Sequence, residues 1–169
     1  MKITRPIRAV LFDMDGVMVD SEFVYMKYLL EFAKEKNPAV KMEDINPMVG
    51  RSRQDSWTVM EQAVNNGENW ETLIREWADR DIYSQIDYRK IFRPEMKTTV
   101  QELKRRGYIV ALVSSTGPKL ISRIVEEVGM RPEFDLIVSG KQFKQSKPNP
   151  EIYHYTADTL GIREDECFV

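Results

Sequence analysis

The feature that most limits how this chain can fold is a change of hydrophobic period along it. Ala9–Phe12 is a short, continuous apolar run of the kind that forms a buried strand. From residue 20 to residue 90 the apolar positions follow helical spacing, with no strand pattern. After Pro94, short apolar strands alternate with helices. This order predicts a parallel sheet wrapped by helices, with a helical insertion after the first strand.

The region after Pro94 predicts the remaining strands of the sheet. Ile109–Val113 and Phe134–Val138 are continuous apolar segments, and Cys167–Val169 has the pattern of the opening of one more strand. Pro118 lies where a helix should start, and prolines favour that position. We therefore predict an α/β fold with a Rossmann-like parallel sheet, whose ligands should bind at the carboxyl ends of the strands.

Composition narrows the possible classes of function. There are 25 Lys and Arg against 27 Asp and Glu, a formal net charge of −2, whereas nucleic-acid binders usually carry a basic excess. Cys167 is the only cysteine and His154 the only histidine, too few for a zinc site. A lone cysteine fits a reducing compartment, and no apolar run approaches the roughly 20 residues of a membrane span. We expect a cytoplasmic protein without nucleic-acid or membrane partners.

Two carboxylates follow the first predicted strand, in Asp13-Met14-Asp15-Gly16. Residues i and i+2 of an extended chain point the same way, so both acids should face the carboxyl edge of the sheet. Close carboxylates repel unless a cation lies between them or one is protonated. Mg²⁺ prefers such oxygen ligands together with substrate phosphate. One carboxylate could attack phosphorus while the other handles a proton, although the motif alone is also consistent with a polar turn.

Two further predicted strands end in groups that can contact a phosphate. Ser114 and Ser115 follow the second strand, where hydroxyl and backbone N–H groups can donate to phosphoryl oxygens. Lys147, in the loop Ser146–Pro150 after the third strand, can supply a point charge. Each alone is more readily explained as part of a polar loop. Their shared position after successive strands favours one site.

These residues resemble the motifs of the haloacid dehalogenase superfamily, in its branch of β-phosphoglucomutase-like phosphatases. Val10–Glu22 is similar to the first motif, Ser114 to the second, and Ser146–Tyr153, which contains Lys147, to the third. The helical insertion resembles the cap domain of that family. The resemblance implies an α/β core formed by residues 1–19 and 91–169 and a helical cap formed by residues 20–90.

The resemblance also implies a role for each residue of the motifs. Asp13 would be the nucleophile that forms an aspartyl-phosphate, and Asp15 the general acid and then the general base. The side chain of Asp13 and the backbone carbonyl of Asp15 would hold Mg²⁺. Ser114 would hydrogen-bond the transferring phosphoryl group, and Lys147 would neutralise charge on the nucleophile and the phosphate.

The substrate-facing loop of the cap is similar to Gly50–Ser56. By this resemblance Gly50 and Arg53 would bind substrate, Arg53 at a group distant from the phosphate, and Ser115 would assist from the core. The expected substrate is a small phosphorylated metabolite, and the expected reaction is Mg²⁺-dependent hydrolysis of a phosphomonoester such as a sugar phosphate. Asp15 favours phosphoryl transfer, because the dehalogenases of the same fold lack an acid two residues after the nucleophile.

Two alternatives stay open. One is a β-phosphoglucomutase, but Tyr25 stands where those enzymes carry a histidine, and Asp79–Tyr83 has no lysine. The other is a catalytically impaired binding or structural remnant, because the fourth motif, which supplies further acidic Mg²⁺ ligands, has no match before Val169. We therefore expect a truncated form of a longer, monomeric phosphatase. Its Mg²⁺ binding should be weakened, and its exposed sheet edge could pair with another chain.

Overall fold

The structure is a computed structural model, and it describes residues 6–169. Strands form at the continuous apolar runs, and helices form where the apolar residues follow helical spacing. The strands are β1 (Ala9–Phe12), β2 (Ile109–Ser114), β3 (Leu136–Ser139) and β4 (Cys167–Phe168). The α-helices are α1 (Ser21–Lys36), α2 (Met42–Ile45), α3 (Arg53–Val64), α4 (Trp70–Ala78), α5 (Ile82–Gln85), α6 (Glu95–Arg105), α7 (Pro118–Glu127) and α8 (Glu151–Leu160).

The four strands form one parallel sheet in the order β3-β2-β1-β4. Ala9 of β1 pairs with Ile109 of β2 on one side and with Cys167 of β4 on the other, and Ser114 of β2 pairs with Ser139 of β3. The predicted α/β fold is confirmed. Because the chain passes from β3 to the far side of β1, the strand order reverses beside β1, which is where ligands bind in such sheets.

Strands β2 and β3 differ from their predicted bounds, and β4 ends at Phe168, one residue before the predicted Val169. β3 begins at Leu136, two residues after the predicted Phe134, because Arg131–Glu133 form a 3₁₀ turn that leads into Phe134. β2 continues through Ser114 instead of ending at Val113, because Ser114 is paired with β3. The sheet therefore extends to the first residue of the predicted phosphate-binding loop.

Helix α8 packs against alternate residues of the sheet. Ile152 and Ala157 of this helix are buried in a core shared with strands β1 to β4. The strand residues of that core are Ala9, Leu11, Ala111, Val113, Val138 and Cys167. This packing fixes the start of α8 and with it the end of the loop that carries Lys147.

The chain divides into two compact units. One comprises the described residues up to Ser21 together with Asp87–Val169, and it contains the sheet; the other is Glu22–Ile86 and is helical. The core of the helical unit includes Phe32, Trp57 and Trp77, which meet edge to face or tilted. The assignment of residues 20–90 as a cap domain stays a prediction. Within residues 6–169, no helix has the length and apolarity to cross a membrane.

Asp135 links three elements of the sheet unit just before β3. Its carboxylate accepts hydrogen bonds from Lys104 Nζ at 2.8 Å and from the backbone N–H of Val110 at 2.9 Å. Burial raises the pKa of this carboxyl, but the hydrogen bonds from Lys104 and Val110 outweigh burial, so the pKa lies below its usual value. The resulting stabilisation is present above the unfolded-state pKa and is lost as pH falls through the folded-state pKa.

We expect Asp135→Asn to lower the free energy of unfolding by about 1 kcal/mol at neutral pH, since the amide loses the charge-assisted contacts. The difference from the unsubstituted chain should shrink as acid protonates Asp135. Urea denaturation at neutral pH and at a pH below 3.8, the ordinary pKa of aspartate, measures both values. Asp158→Asn, on the exposed face of α8, is the matched control. A loss that is the same at both pH values would contradict the ionic contribution.

Candidate active site

The carboxyl edge of the sheet brings four predicted site residues together. Asp13 follows β1 directly, Ser114 ends β2, and Lys147 lies in the loop between β3 and α8. Lys147 Nζ is 2.8 Å from Asp13 Oδ1, and Ser114 Oγ is 3.4 Å from Asp15 Oδ2. The sheet unit therefore places two carboxylates, a buried hydroxyl and an ammonium group in one cluster.

One oxygen of Asp13 is fixed and the other is open. Asp13 Oδ1 accepts from the N–H of Met14 at 2.8 Å as well as from Lys147. Lys147 Nζ also donates to the carbonyl of Val113 at 3.2 Å, so the lysine bridges β1 and β2. In residues 6–169 no hydrogen-bond donor contacts Asp13 Oδ2, and the side chain is 43% exposed. This oxygen is free to approach an electrophile.

A tight turn after β1 carries Asp15. Gly16 has φ of 74°, a left-handed value that suits glycine. Its N–H donates to the carbonyl of Val19 at 2.8 Å, while the N–H groups of Met18 and Val19 both donate to Met14. Met14 is fully buried and anchors the turn. The turn thereby holds Asp15 next to Asp13 at the sheet edge.

Three hydroxyl groups donate to the carboxylate of Asp15. Ser21 Oγ contacts Oδ1 at 2.6 Å, Thr116 Oγ1 contacts Oδ2 at 2.8 Å, and Ser114 makes the longer contact to Oδ2. The sequence motifs do not predict Thr116 as a site residue, and they include Ser21 only as part of the first motif. The available signal was the unbroken run of hydroxyl residues, Ser114 to Thr116, at a strand end.

The loop after β2 is held closely against the end of β3. A Cβ added to Gly140 would lie 3.1 Å from Ser115 Cα and 3.3 Å from the carbonyl oxygen of Ser114. Glycine thus permits a backbone approach that a larger residue would obstruct. Ser139 Oγ also donates to the carbonyl of Thr116 at 2.6 Å. Ser115 lies in this loop, and its contact with substrate stays a prediction.

The predicted cap residues belong to the helical unit. Arg53 is the exposed first residue of α3, and Gly50 has φ of 76° with open space where a Cβ would lie. Tyr25 accepts a hydrogen bond from Trp77 Nε1 at 3.0 Å. Burial raises the pKa of Tyr25, while that hydrogen bond and the charge of Arg53 act in the opposite direction. The substrate roles of Gly50 and Arg53 stay predictions.

The oxygen atoms at the strand edge suit a hard cation. The carboxylate of Asp13 and the backbone carbonyl of Asp15, which lacks a hydrogen-bond donor within residues 6–169, are oxygen ligands of this kind. In the same residues, no three side chains of His, Cys, Asp or Glu converge as a metal site. The chain therefore offers Mg²⁺ one carboxylate and one carbonyl, with water and substrate phosphate left to complete the coordination.

The parallel sheet and the cluster at its carboxyl edge are consistent with one known family of proteins. Residues 10–169 match the family described as haloacid dehalogenase-like hydrolase. The chain belongs to this family and is a hydrolase of the haloacid dehalogenase type. The resemblance predicted from the three motifs is confirmed.

Individual relatives cover nearly all of the chain. A phosphoglycolate phosphatase of Photorhabdus laumondii is 26% identical over 171 residues, which span 98% of this chain and 72% of that protein. Hexitol phosphatase B of Escherichia coli is 25% identical over 169 residues, with coverage of 99% and 76%. The structure of a provisionally named β-phosphoglucomutase from Thermotoga maritima aligns with a TM-score of 0.75 at 22% identity, covering 96% and 75%. This last likeness concerns the fold.

Proposed function

We propose that the chain is a Mg²⁺-dependent phosphatase acting on a small phosphomonoester. The observation that carries the proposal is the pair formed by Asp13 and Lys147. One carboxylate oxygen is neutralised by an ammonium group at 2.8 Å while the other stays open. Catalysis of phosphoryl transfer depends mainly on a positioned nucleophile and on nearby positive charge. This pair offers both.

In the proposed reaction, Asp13 Oδ2 attacks phosphorus and forms an aspartyl-phosphate. The bond from phosphorus to the leaving oxygen breaks, and Asp15, protonated for this step, gives that oxygen its proton. In the second step Asp15 removes a proton from water, whose oxygen attacks phosphorus and releases inorganic phosphate and Asp13. With Oδ2 as the nucleophile, Asp13 Oδ1 and the carbonyl of Asp15 would hold Mg²⁺, which would supply positive charge against the phosphate oxygens.

Ser114 and Lys147 complete the proposed phosphate site. Ser114 is fully buried at the end of β2, and its hydroxyl lies near enough to Asp15 to be shared with a phosphoryl oxygen. Lys147 is 16% exposed, so its charge is less screened than that of a surface lysine. Together they would stabilise the negative charge of the transferring group.

The proposed substrate is a sugar phosphate or a similar small metabolite in the cytoplasm. The names of two relatives, a phosphoglycolate phosphatase and a hexitol phosphatase, support a small phosphomonoester. The β-phosphoglucomutase alternative stays open. Tyr25 weighs against it, because its hydroxyl is engaged with Trp77.

Release of inorganic phosphate from a panel of esters tests the proposed function. The panel contains glucose 1-phosphate, a hexitol phosphate and phosphoglycolate, each with Mg²⁺ and with a chelator. We expect Mg²⁺-dependent phosphate release from at least one ester. Formation of glucose 6-phosphate that requires a sugar bisphosphate would instead show a mutase. No turnover of any ester would overturn the proposal.

A further inference from the structure

We propose that Thr116 is a positioning residue that holds Asp15 in place for proton transfer. This inference rests on the proposed function, because it concerns how the general acid and base is oriented. Thr116 lies outside the three motifs recognised in the sequence. Its hydroxyl nevertheless makes the shorter of the two contacts to Asp15 Oδ2, at 2.8 Å against 3.4 Å from Ser114.

The carboxylate of Asp15 is held from both sides. Ser21 Oγ donates to Oδ1 at 2.6 Å, and Thr116 Oγ1 donates to Oδ2. Both lengths lie within the usual range for O–H···O hydrogen bonds. Two such bonds to different oxygens restrict rotation of the carboxylate plane. Loss of the Thr116 bond would leave Oδ2 with the long Ser114 contact alone.

Thr116 is itself anchored by its backbone. Its N–H donates to Ser114 Oγ at 3.1 Å, and its carbonyl accepts from Ser139 Oγ at 2.6 Å. The close approach of Gly140 to Ser115 keeps the loop after β2 against the end of β3. The backbone of Thr116 is thus tied to the ends of β2 and β3.

This arrangement separates two tasks between neighbouring hydroxyls. Ser114 can turn its hydroxyl toward a phosphoryl oxygen, since its contact with Asp15 is at the long limit of a hydrogen bond. Thr116 then keeps Asp15 in place while the phosphate is bound. Ser114 would hydrogen-bond the phosphoryl group, and Thr116 would hold Asp15, the group that transfers the proton.

The test compares Thr116→Val with Thr116→Ser on two esters. Glycerol 2-phosphate has a poor leaving group, which needs a proton in order to depart. The leaving group of p-nitrophenyl phosphate is p-nitrophenolate, which departs without a proton. A misplaced general acid should lower kcat/KM for glycerol 2-phosphate by about 10²-fold in Thr116→Val. The value for p-nitrophenyl phosphate should change far less. Thr116→Ser, which keeps the hydroxyl, should restore kcat/KM for glycerol 2-phosphate.

A double-substitution cycle tests whether Thr116 acts through Asp15. Adding Thr116→Val to Asp15→Asn should lower kcat/KM for glycerol 2-phosphate no further than Asp15→Asn alone. Thr159→Val, an exposed threonine on α8, is the matched control. Equal losses with both esters, or failure of Thr116→Ser to restore activity, would show a structural role and overturn the inference.

Crystal structures provide a readout that does not depend on turnover. In Thr116→Val the carboxylate of Asp15 should be rotated or displaced, and in Thr116→Ser it should coincide with the unsubstituted protein. An unmoved Asp15 in Thr116→Val would overturn the inference. Absence of all ester hydrolysis by the unsubstituted protein would instead overturn the proposed function, and the crystal structures would still decide whether Thr116 positions Asp15.

Discussion

Replacement of Asp13 by asparagine is expected to lower kcat/KM for phosphate release by about 10⁴-fold or more, the scale seen when a covalent nucleophile is removed. The amide keeps the size of the side chain and an oxygen that can accept from Met14, as Oδ1 does at 2.8 Å. It lacks the negative charge that makes Oδ2 a nucleophile. It also ends the ion pair with Lys147. The variant should therefore fold but lose nearly all phosphatase activity.

Mass spectrometry of the quenched reaction distinguishes this mechanism from direct attack by water. The unsubstituted chain should carry one labile phosphoryl group after brief reaction with substrate, located on the peptide that contains Asp13. Asp13→Asn should carry none. Asp158→Asn, which alters an exposed acid of the same unit, should behave as the unsubstituted chain. Full activity in Asp13→Asn would refute the assignment of the nucleophile.

The fold could be predicted because its main strands are apolar: β2 is buried along nearly its whole length, and β1 alternates buried with half-buried residues. β1 and β2 appear as continuous apolar runs, and their parallel pairing follows from the helices between them. The start of β3 is harder to predict from the sequence. Phe134 is apolar and buried and so resembles a strand residue, but the 3₁₀ turn before it delays the strand to Leu136. That turn contains Pro132 and is closed by a hydrogen bond from the Glu133 N–H to the Met130 carbonyl, local features that hydrophobic periodicity does not encode.

The site was predictable where a residue's position along a strand determines its location in space. Asp13, Ser114 and Lys147 each follow a strand of one parallel sheet, so their convergence could be inferred from sequence order alone. The contact of Thr116 with Asp15 could not, because residues 15 and 116 meet only through the conformation of two loops. The approach of Gly140 to the loop after β2 is likewise a property of the packed structure.

Replacement of Lys147 by alanine is the second substitution with a large expected effect. Its ammonium group donates to Asp13 Oδ1 at 2.8 Å and to the carbonyl of Val113 at 3.2 Å. Removal takes away the positive charge that would offset the phosphate and the developing charge in the transition state. We expect kcat/KM to fall by about 10²–10³-fold, the scale seen when one preorganised donor to a transition-state oxygen is removed.

Lys144→Ala provides the matched control for this effect. Lys144 lies in the same loop and is exposed, so its charge is screened by solvent. Lys144→Ala should retain nearly full activity. Thermal unfolding of both variants separates loss of charge from loss of structure, because Lys147→Ala also removes a donor from the carbonyl of Val113. A melting temperature that falls while kcat/KM is unchanged would make Lys147 a bridge between strands. A fall in kcat/KM with the melting temperature retained would place its charge in the reaction.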